Sequence, residues 1–153
     1  MHVRWKRAGA GAVAAIVWGL LEPIDQRIFR SDYSDIAVLG KAFTRGPGWL
    51  PLGFALHALN GAAFGLAYHE VARRVPRDPR RLALELALLE HLLLFPTGHF
   101  VDLHHPARGE PGVPRLLSRR AFGQATVRHG IFGFVLGRLG DYPATDRDPC
   151  MHA

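Results

Sequence analysis

The sequence contains a single cysteine, Cys150, close to its carboxyl end. One thiol excludes both a disulfide framework and a CxxC redox pair. Lysine is almost as scarce, with 2 residues against 17 arginines, a bias typical of proteins from GC-rich bacteria. Positive charge is therefore carried almost entirely by arginine.

The patterns of common enzymes and of nucleic-acid-binding proteins are also missing. The formal net charge is +6. However, the chain has no zinc-ligand spacing, no helix-turn-helix pattern and no interleaving of aromatic with basic residues, which argues against nucleic acid. Ser118 lacks the surroundings of a nucleophile elbow, and no glycine-rich loop is placed to cradle a phosphate. We therefore expect a protein that is not an enzyme, binds no nucleic acid and needs no cofactor.

The stretch 46–69 is the most informative feature that is present. Its twenty-four residues carry no formal charge. As an α-helix they would span roughly 36 Å, more than the roughly 30 Å of a hydrocarbon core. The mean hydropathy of the whole chain is only +0.04, because charged residues are concentrated between the apolar segments. These features predict a transmembrane helix over residues 49–72.

Three further apolar segments predict an all-α protein, a four-transmembrane-helix bundle that forms one membrane domain over residues 1–139. The additional helices are expected at 8–24, 82–103 and 121–139. The first resembles a signal peptide, but no small-x-small cleavage site follows it, so we expect an uncleaved span. The tail, residues 140–153, is expected to be poorly ordered.

The loops between these segments predict the orientation in the membrane. Ser34 and Asp35 are suited to cap a short interfacial helix over 36–44. The short 73–81 loop holds five arginines, and the segment before residue 8 holds three basic residues. The positive-inside rule therefore places both termini and this loop in the cytoplasm of a bacterium, with the protein in its plasma (inner) membrane. The loop arginines are also candidates for binding anionic lipids: Arg73, Arg74, Arg77, Arg80 and Arg81.

An internal repeat is indicated by the pattern HxxxGxxxG. It runs from His57 to Gly65 and again from His129 to Gly137, an offset of 72 residues. Such spacing predicts two parallel repeats, each a helical hairpin, although chance recurrence in a glycine-rich chain is an alternative. Small residues at helical spacing are typical of close helix packing, which assigns that role to Gly61, Gly65, Gly133 and Gly137.

Four motifs together resemble a known group of proteins. They are Glu22-Pro23-x-Asp25, Ser31-Asp32-Tyr33-Ser34-Asp35, HxxNGxxFG from His57, and His104-His105-Pro106. With them, most of residues 8–139 resembles small integral membrane proteins of actinobacteria and similar GC-rich bacteria. The resemblance implies a four-helix inner-membrane protein. It implies no activity and no catalytic residue, because none is assigned to that group.

Ionisable and polar side chains interrupt the apolar segments. Such groups are costly in a membrane and usually face the interior of a bundle, where they pair. We predict a polar cluster in the outer half of the bundle, in which Arg128 has a carboxylate partner in Glu22, Asp102 or Glu90. Its candidate members are Glu22, His57, Asn60, Glu90, His91, His99, Asp102, Arg128 and His129.

Several interpretations of these features stay open. The favoured one is a structural network that fixes helix register. The others are a pathway for protons or a small solute, a metal or haem site, and a soluble helical bundle with these segments as its core. Small-residue faces left unpaired within a four-helix unit would also favour a homodimer.

Overall fold

The computed structural model of the protein describes residues 2–140, with side chains from Trp5 onward. Every regular element in this range is helical, so the prediction of an all-α fold is confirmed. The expected tail, 140–153, lies outside the described residues apart from Gly140. The elements are α1 (His2–Phe29), α2 (Asp35–Lys41), α3 (Trp49–Ala72), α4 (Pro79–Leu94), a 3₁₀ turn (Phe95–Thr97), α5 (Gly98–His104) and α6 (Arg119–Leu139).

The helix α1 is longer than the predicted helix 8–24 and continues through Pro23 to Phe29. Proline removes one backbone hydrogen bond, so the later turns of such a helix depend on other contacts. Here those turns carry Asp25, whose carboxylate is bound by Arg128 of α6. The extension therefore brings a further acidic side chain into the bundle.

The predicted helix 82–103 is divided in two. Its first part, α4, begins at Pro79 after Asp78, whose side chain accepts a hydrogen bond from the backbone N–H of Arg81 at 2.9 Å. Proline suits the first turn of a helix, and aspartate suits the cap. A 3₁₀ turn containing Pro96 then leads into α5. The division follows from Pro96, which cannot donate the helical hydrogen bond at its position.

The long helices form two antiparallel pairs. α1 packs along α3, α4 packs along α6, and contacts between α1 and α6 join the pairs, whereas α3 and α4 touch only weakly. The 73–78 connection and the start of α1 lie at one end of the bundle, called the arginine end. The longer connections, 30–48 and 105–118, lie at the other, called the loop end.

Glycine allows the helices of the first pair to approach closely. A Cβ atom on Gly61 would lie 2.5 Å from the carbonyl oxygen of Gly11 and 2.6 Å from the Cβ atom of Ala15. One on Gly65 would lie 2.6 Å from the carbonyl oxygen of Arg7. A side chain at either position would force α1 and α3 apart.

The second pair is packed in the same way. A Cβ atom on Gly133 would lie 3.0 Å from the carbonyl oxygen of Ala83 and 3.1 Å from the Cβ atom of Ala87. These three residues follow their counterparts in the first pair by 72 positions. Gly137 likewise packs against Arg80. All four glycines expected to pack helices therefore contact helices of their own chain, and they lend no support to a homodimer.

A hydrophobic core fills the arginine-end half of the bundle. Phe64 and Phe132 lie at its boundary toward the loop end, with their rings edge to face and 5.1 Å between centroids. This arrangement is favourable for aromatic rings. All four long helices contribute buried members, which include Ala10, Ala14, Tyr68, Leu82, Ala83 and Leu136.

At the loop end, α2 is covered by the 105–118 segment. The Nζ atom of Lys41 donates to the carbonyl of Pro111 at 2.8 Å. The backbone N–H of Ser34 donates to the carbonyl of Gly112 at 3.0 Å. Ser34 is also the N-cap of α2. The short helix expected in the first long loop thus closes the loop end of the bundle.

Three helical stretches are long and apolar enough to cross a membrane: Trp5–Phe29, Trp49–Ala72 and Pro79–His104. The expected fourth span, α6, is not among them; its 21 residues include four arginines. The helical bundle is therefore confirmed, and a bundle with four transmembrane helices stays a prediction.

Candidate functional site: a buried arginine beside a histidine-lined cavity

Arg128 lies in the middle of α6 and is among the most deeply buried side chains, with 1% of its surface exposed. Its guanidinium binds the carboxylate of Asp25 through two hydrogen bonds. Nε donates to Oδ2 at 2.5 Å, and Nη2 donates to Oδ1 at 2.6 Å. This bidentate arrangement matches the planar geometry of both groups.

Two more carboxylates share the same guanidinium. Nη1 donates to Oδ2 of Asp35 at 2.7 Å and to Oε1 of Glu22 at 3.3 Å. Nη2 also donates to the carbonyl oxygen of Tyr33 at 2.8 Å. Gln124, one turn earlier on α6, donates to Oδ1 of Asp25 at 2.6 Å. One arginine thus ties α6 both to α1 and to the start of α2.

Glu22 also anchors α2 to α1. Its Oε1 atom accepts a hydrogen bond from the backbone N–H of Asp35 at 2.7 Å, and its Oε2 atom accepts one from the hydroxyl of Ser34 at 2.5 Å. A carboxylate at the amino end of a helix satisfies free N–H groups and complements the helix dipole. The Arg128 network, defined as Glu22, Asp25, Asp35 and Arg128, therefore joins α1, α2 and α6.

Neighbouring charges set the ionisation of the residues at the start of α2. Burial opposes the ionisation of Asp35, but the Arg128 guanidinium, His57 and the Tyr33 hydroxyl outweigh it and lower the pKa of Asp35. Burial and the adjacent Asp35 charge raise the pKa of Tyr33 well above its usual value. Tyr33 therefore keeps its proton and donates a hydrogen bond to Oδ1 of Asp35 at 2.5 Å.

Of the carboxylates that bind Arg128, the sequence points to Glu22 and misses Asp25 and Asp35. The predicted helix ends at residue 24, which leaves Asp25 in a loop, and Asp35 is expected only as part of a helix cap. The signal that could have found Asp25 is its spacing of three from Glu22. That spacing places both carboxylates on one face of a helix, provided that the helix continues past Pro23.

Two predicted members of the polar cluster lie elsewhere. Asp102 accepts hydrogen bonds from the backbone N–H groups of Leu116 at 2.6 Å and Leu117 at 3.0 Å. It therefore anchors the 105–118 segment and is not a partner of Arg128. His99 is exposed on the surface of α5.

A cavity of about 300 Å³ lies beside the Arg128 network, in the loop-end half of the bundle. Trp18 stands between two histidines, with its ring centroid 4.8 Å from that of His57 and 4.6 Å from that of His129. The lining combines aromatic rings with a few polar groups, as is usual in small-molecule sites. Five predicted members of the polar cluster line it: His57, Asn60, Glu90, His91 and His129.

His57 and His129 both line this cavity. The Nδ1 atom of His129 donates to the carbonyl of Ala125 at 2.8 Å. Because a carbonyl only accepts, the His129 ring uses Nδ1–H for this bond and holds a lone pair on Nε2 when it is neutral. Within the described residues, Nε2 of His57 and Nε1 of Trp18 are buried and have no hydrogen-bond partner.

His91 and Glu90 complete the polar part of the wall. The hydroxyl of Thr126 gives its proton to the carbonyl of Phe122 at 2.8 Å, so it accepts a hydrogen bond from Nε2–H of His91 at 2.9 Å. Glu90 has its Oε2 atom 3.9 Å from Nε2 of His129. When Glu90 is ionised and His129 is neutral, two acceptors face each other across a gap that one donor could bridge.

The cavity is not a ready-made metal site. Among the described side chains, no group of three or more His, Cys, Asp or Glu is arranged to hold an ion. The metal or haem interpretation therefore has no preformed ligand set in this part of the chain, and it gains no support from the geometry.

Comparison of the chain with protein-family models, with curated proteins and with solved structures gives no match. The fold itself defines a class: a helical bundle in which three stretches are apolar enough to cross a membrane. Its distinguishing features are the Arg128 network and the cavity beside it.

Proposed function

We propose that this chain is an integral membrane protein with four spans, in the plasma membrane of a bacterium. The exposure of its side chains supports the proposal. Leu59 and Leu93 are each 66% exposed and Phe134 is 57% exposed, whereas Arg128 is 1% exposed. A soluble bundle would bury most such apolar side chains and leave its arginines in water. In lipid, the reverse arrangement is stable.

The proposed fourth span is α6. Its 21 residues cover about 31 Å, close to the roughly 30 Å of a hydrocarbon core. Arg119 and Arg120 lie at its loop end and Arg138 at its arginine end, where a span meets the lipid head groups. The remaining arginine, Arg128, is paired inside the bundle. Low hydropathy therefore does not prevent α6 from crossing the membrane.

In this arrangement the hairpins α1–α3 and α4–α6 are parallel repeats. Support comes from their glycine contacts, which recur at the 72-residue offset of the HxxxGxxxG pattern. The arginine end, with both termini, faces the cytoplasm, because five exposed arginines lie in or beside its short connection. These arginines are placed to meet anionic lipids.

We assign a structural role to the Arg128 network and a binding role to the cavity. The binding role is supported by His57, because its side chain is 95% buried and its Nε2 atom has no partner among the described residues. Buried polar atoms nearly always have a hydrogen-bond partner. A polar group of a bound molecule would supply one, and about 300 Å³ lies at the lower end of the volumes of ligand sites.

A binding site accounts for the geometry better than a continuous pathway. The cavity reaches the boundary formed by Phe64 and Phe132. Beyond these rings, buried side chains that include Ala14, Tyr68 and Leu136 fill the arginine-end half of the bundle. A polar solute in the cavity would therefore meet apolar surface on its way to that end.

The test is to identify what copurifies with the protein. The protein would be transferred from membranes directly into lipid nanodiscs and analysed by mass spectrometry, absorption spectroscopy and metal analysis. We expect a stoichiometric small molecule that is lost in His57→Phe, which keeps an aromatic ring but removes both nitrogens. The control, His99→Phe, alters an exposed ring and should retain the molecule.

Three outcomes would contradict the proposal. Recovery of the chain in the soluble fraction without detergent would support a soluble bundle. A native preparation without any bound small molecule would leave only the structural role of the polar cluster. A bound metal or haem that is lost with His57 would support the cofactor interpretation.

A further inference from the structure

The cavity continues into an apolar groove between α3 and α4. This groove has a volume of about 290 Å³ and is open on one side, because the two helices touch only weakly. Phe64, Glu90 and Leu94 line both the groove and the cavity. Glu90 therefore lies where the polar cavity meets the apolar groove on the bundle surface.

The groove runs from this junction toward the arginine end. Its α3 wall extends from Phe64 to Val71, which is about 10 Å at 1.5 Å per residue. Its α4 wall begins at Leu86 and includes Leu89 and Leu93. In a membrane this open side would face lipid acyl chains, so an aliphatic chain can leave the bilayer and enter the groove without passing through water.

The acidic residues that line the cavity favour a cation. Within the described part of the chain, Asp35 and Glu90 line it, whereas no lysine or arginine does. Arg128 lies behind the wall, and its guanidinium is shared among three carboxylates. When its ring is neutral, His129 adds an acceptor nitrogen, Nε2. Aromatic rings, which attract cations, complete the lining.

We propose that the cavity and the groove together bind an amphipathic primary ammonium with a single aliphatic chain, taken from the leaflet at the arginine end. The ammonium lies between Oε2 of Glu90 and Nε2 of His129, which are 3.9 Å apart, and donates a hydrogen bond to each. Nε2 of His57, which has no partner among the described residues, lies in the wall of the same cavity. The aliphatic chain lies in the α3–α4 groove. This inference rests on the binding role proposed for the cavity and adds the class of ligand.

The experiment uses dodecylammonium as the probe, with dodecanol and dodecanoate as neutral and anionic molecules of the same chain length. The full chain with Trp5→Phe and Trp49→Phe, in nanodiscs, leaves Trp18 in the cavity wall as the single tryptophan. Its fluorescence reports occupancy of the cavity, and empty nanodiscs correct for partition of the probe into lipid.

We expect saturable binding, tightest for dodecylammonium. Glu90→Gln should weaken it about tenfold or more, as loss of a charged hydrogen bond does, whereas Glu85→Gln on the exposed face of α4 should not.

A second pair of variants tests the groove without touching the polar cavity. Ala67 lines the groove, so Ala67→Phe should obstruct the aliphatic chain and weaken dodecylammonium severalfold. Leu66 is exposed outside the groove, so Leu66→Phe should leave binding unchanged. Equal effects of the two changes would overturn the assignment of the groove.

The outcomes separate this inference from the binding role on which it rests. If dodecanol binds as tightly as dodecylammonium and Glu90→Gln changes neither, the ammonium class is wrong while the binding cavity stands. If none of the three probes saturates, yet a copurified molecule is lost in His57→Phe, the cavity binds a different class. If no probe saturates and nothing copurifies, both proposals fail together.

Discussion

Removing the guanidinium of Arg128 would leave the carboxylates of Glu22, Asp25 and Asp35 buried close to one another. An uncompensated buried charge of this kind costs about 3–5 kcal/mol. We therefore expect Arg128→Ala to lower the free energy of unfolding by about that amount, measured by denaturation of the purified protein in detergent. Arg128→Lys should recover part of the loss, because an ammonium keeps the charge but not the bidentate geometry.

The matched control is Arg138→Ala on the same helix. The guanidinium of Arg138 lies 4.7 Å from the centroid of the Phe134 ring at an exposed site, where such contacts contribute below about 1 kcal/mol. If Arg138→Ala destabilised the protein as much as Arg128→Ala, the structural role of the Arg128 network would be wrong.

Asp35 makes part of the stability depend on pH. Its pKa is lowered in the folded protein, so ionised Asp35 stabilises the fold above its unfolded pKa of about 3.9. This contribution is lost as the pH falls through the lower, folded value. The advantage of the wild-type protein over Asp35→Asn, measured as the difference in Tm, should therefore stay constant from pH 7 to about pH 5 and shrink as the pH falls below about 4. A constant difference would contradict this expectation.

At the scale of single residues, the sequence predicts how deep a side chain lies in the bundle better than it predicts which side chain it pairs with. Equal distances from the loop end place His57 and His129 at one level, and the structure sets both beside Trp18. Asp25 and Asp35 could not be predicted as partners of Arg128, because their positions depend on how α1 continues past Pro23 and on how α2 folds back. Tertiary contacts decide both, and no local pattern reports them.

At the scale of helices, the glycines of α6 permit a direct comparison. An alanine at position 133 would place its Cβ atom 2.8 Å from the Cα atom of Leu84, whereas one at position 130 would meet nothing within 4 Å. Alanine is favoured over glycine in a helix by about 1 kcal/mol. We expect Gly130→Ala to keep or raise the Tm and Gly133→Ala to lower it. A raised Tm for both would contradict the close packing of α4 and α6.

Helix positions follow from the sequence where apolar runs are uninterrupted. The charge-free stretch 46–69 lies almost wholly in α3. The break near Pro96 and the low hydropathy of α6 are harder to interpret from the sequence. A proline or an arginine indicates one structure in a helix exposed to water and another in a helix of a bundle, where its polar groups can be paired. The structure shows that one of the arginines of α6, Arg128, is paired inside the bundle.

At the scale of the whole molecule, orientation can be tested with two matched positions. Arg45 lies at the loop end and Arg77 at the arginine end; both are exposed, and each pairs with one glutamate. After Cys150→Ser, a cysteine would replace either arginine, and intact cells would be treated with an impermeant thiol reagent. We expect labelling of Arg45→Cys and protection of Arg77→Cys until the membrane is opened. The opposite pattern would invert the proposed topology.

The partners of Arg128 are 93 to 106 residues earlier in the chain. During synthesis, Glu22, Asp25 and Asp35 therefore emerge long before the guanidinium that neutralises them. In the proposed membrane arrangement, carboxylates are unfavourable within the bilayer until they are paired, so we expect α1 to reach its final depth only after the last helix is made. A ribosome-bound chain that stops before residue 128 should thus remain loosely inserted and accessible to proteases, and completion of α6 should be the step that fixes the chain in the bilayer.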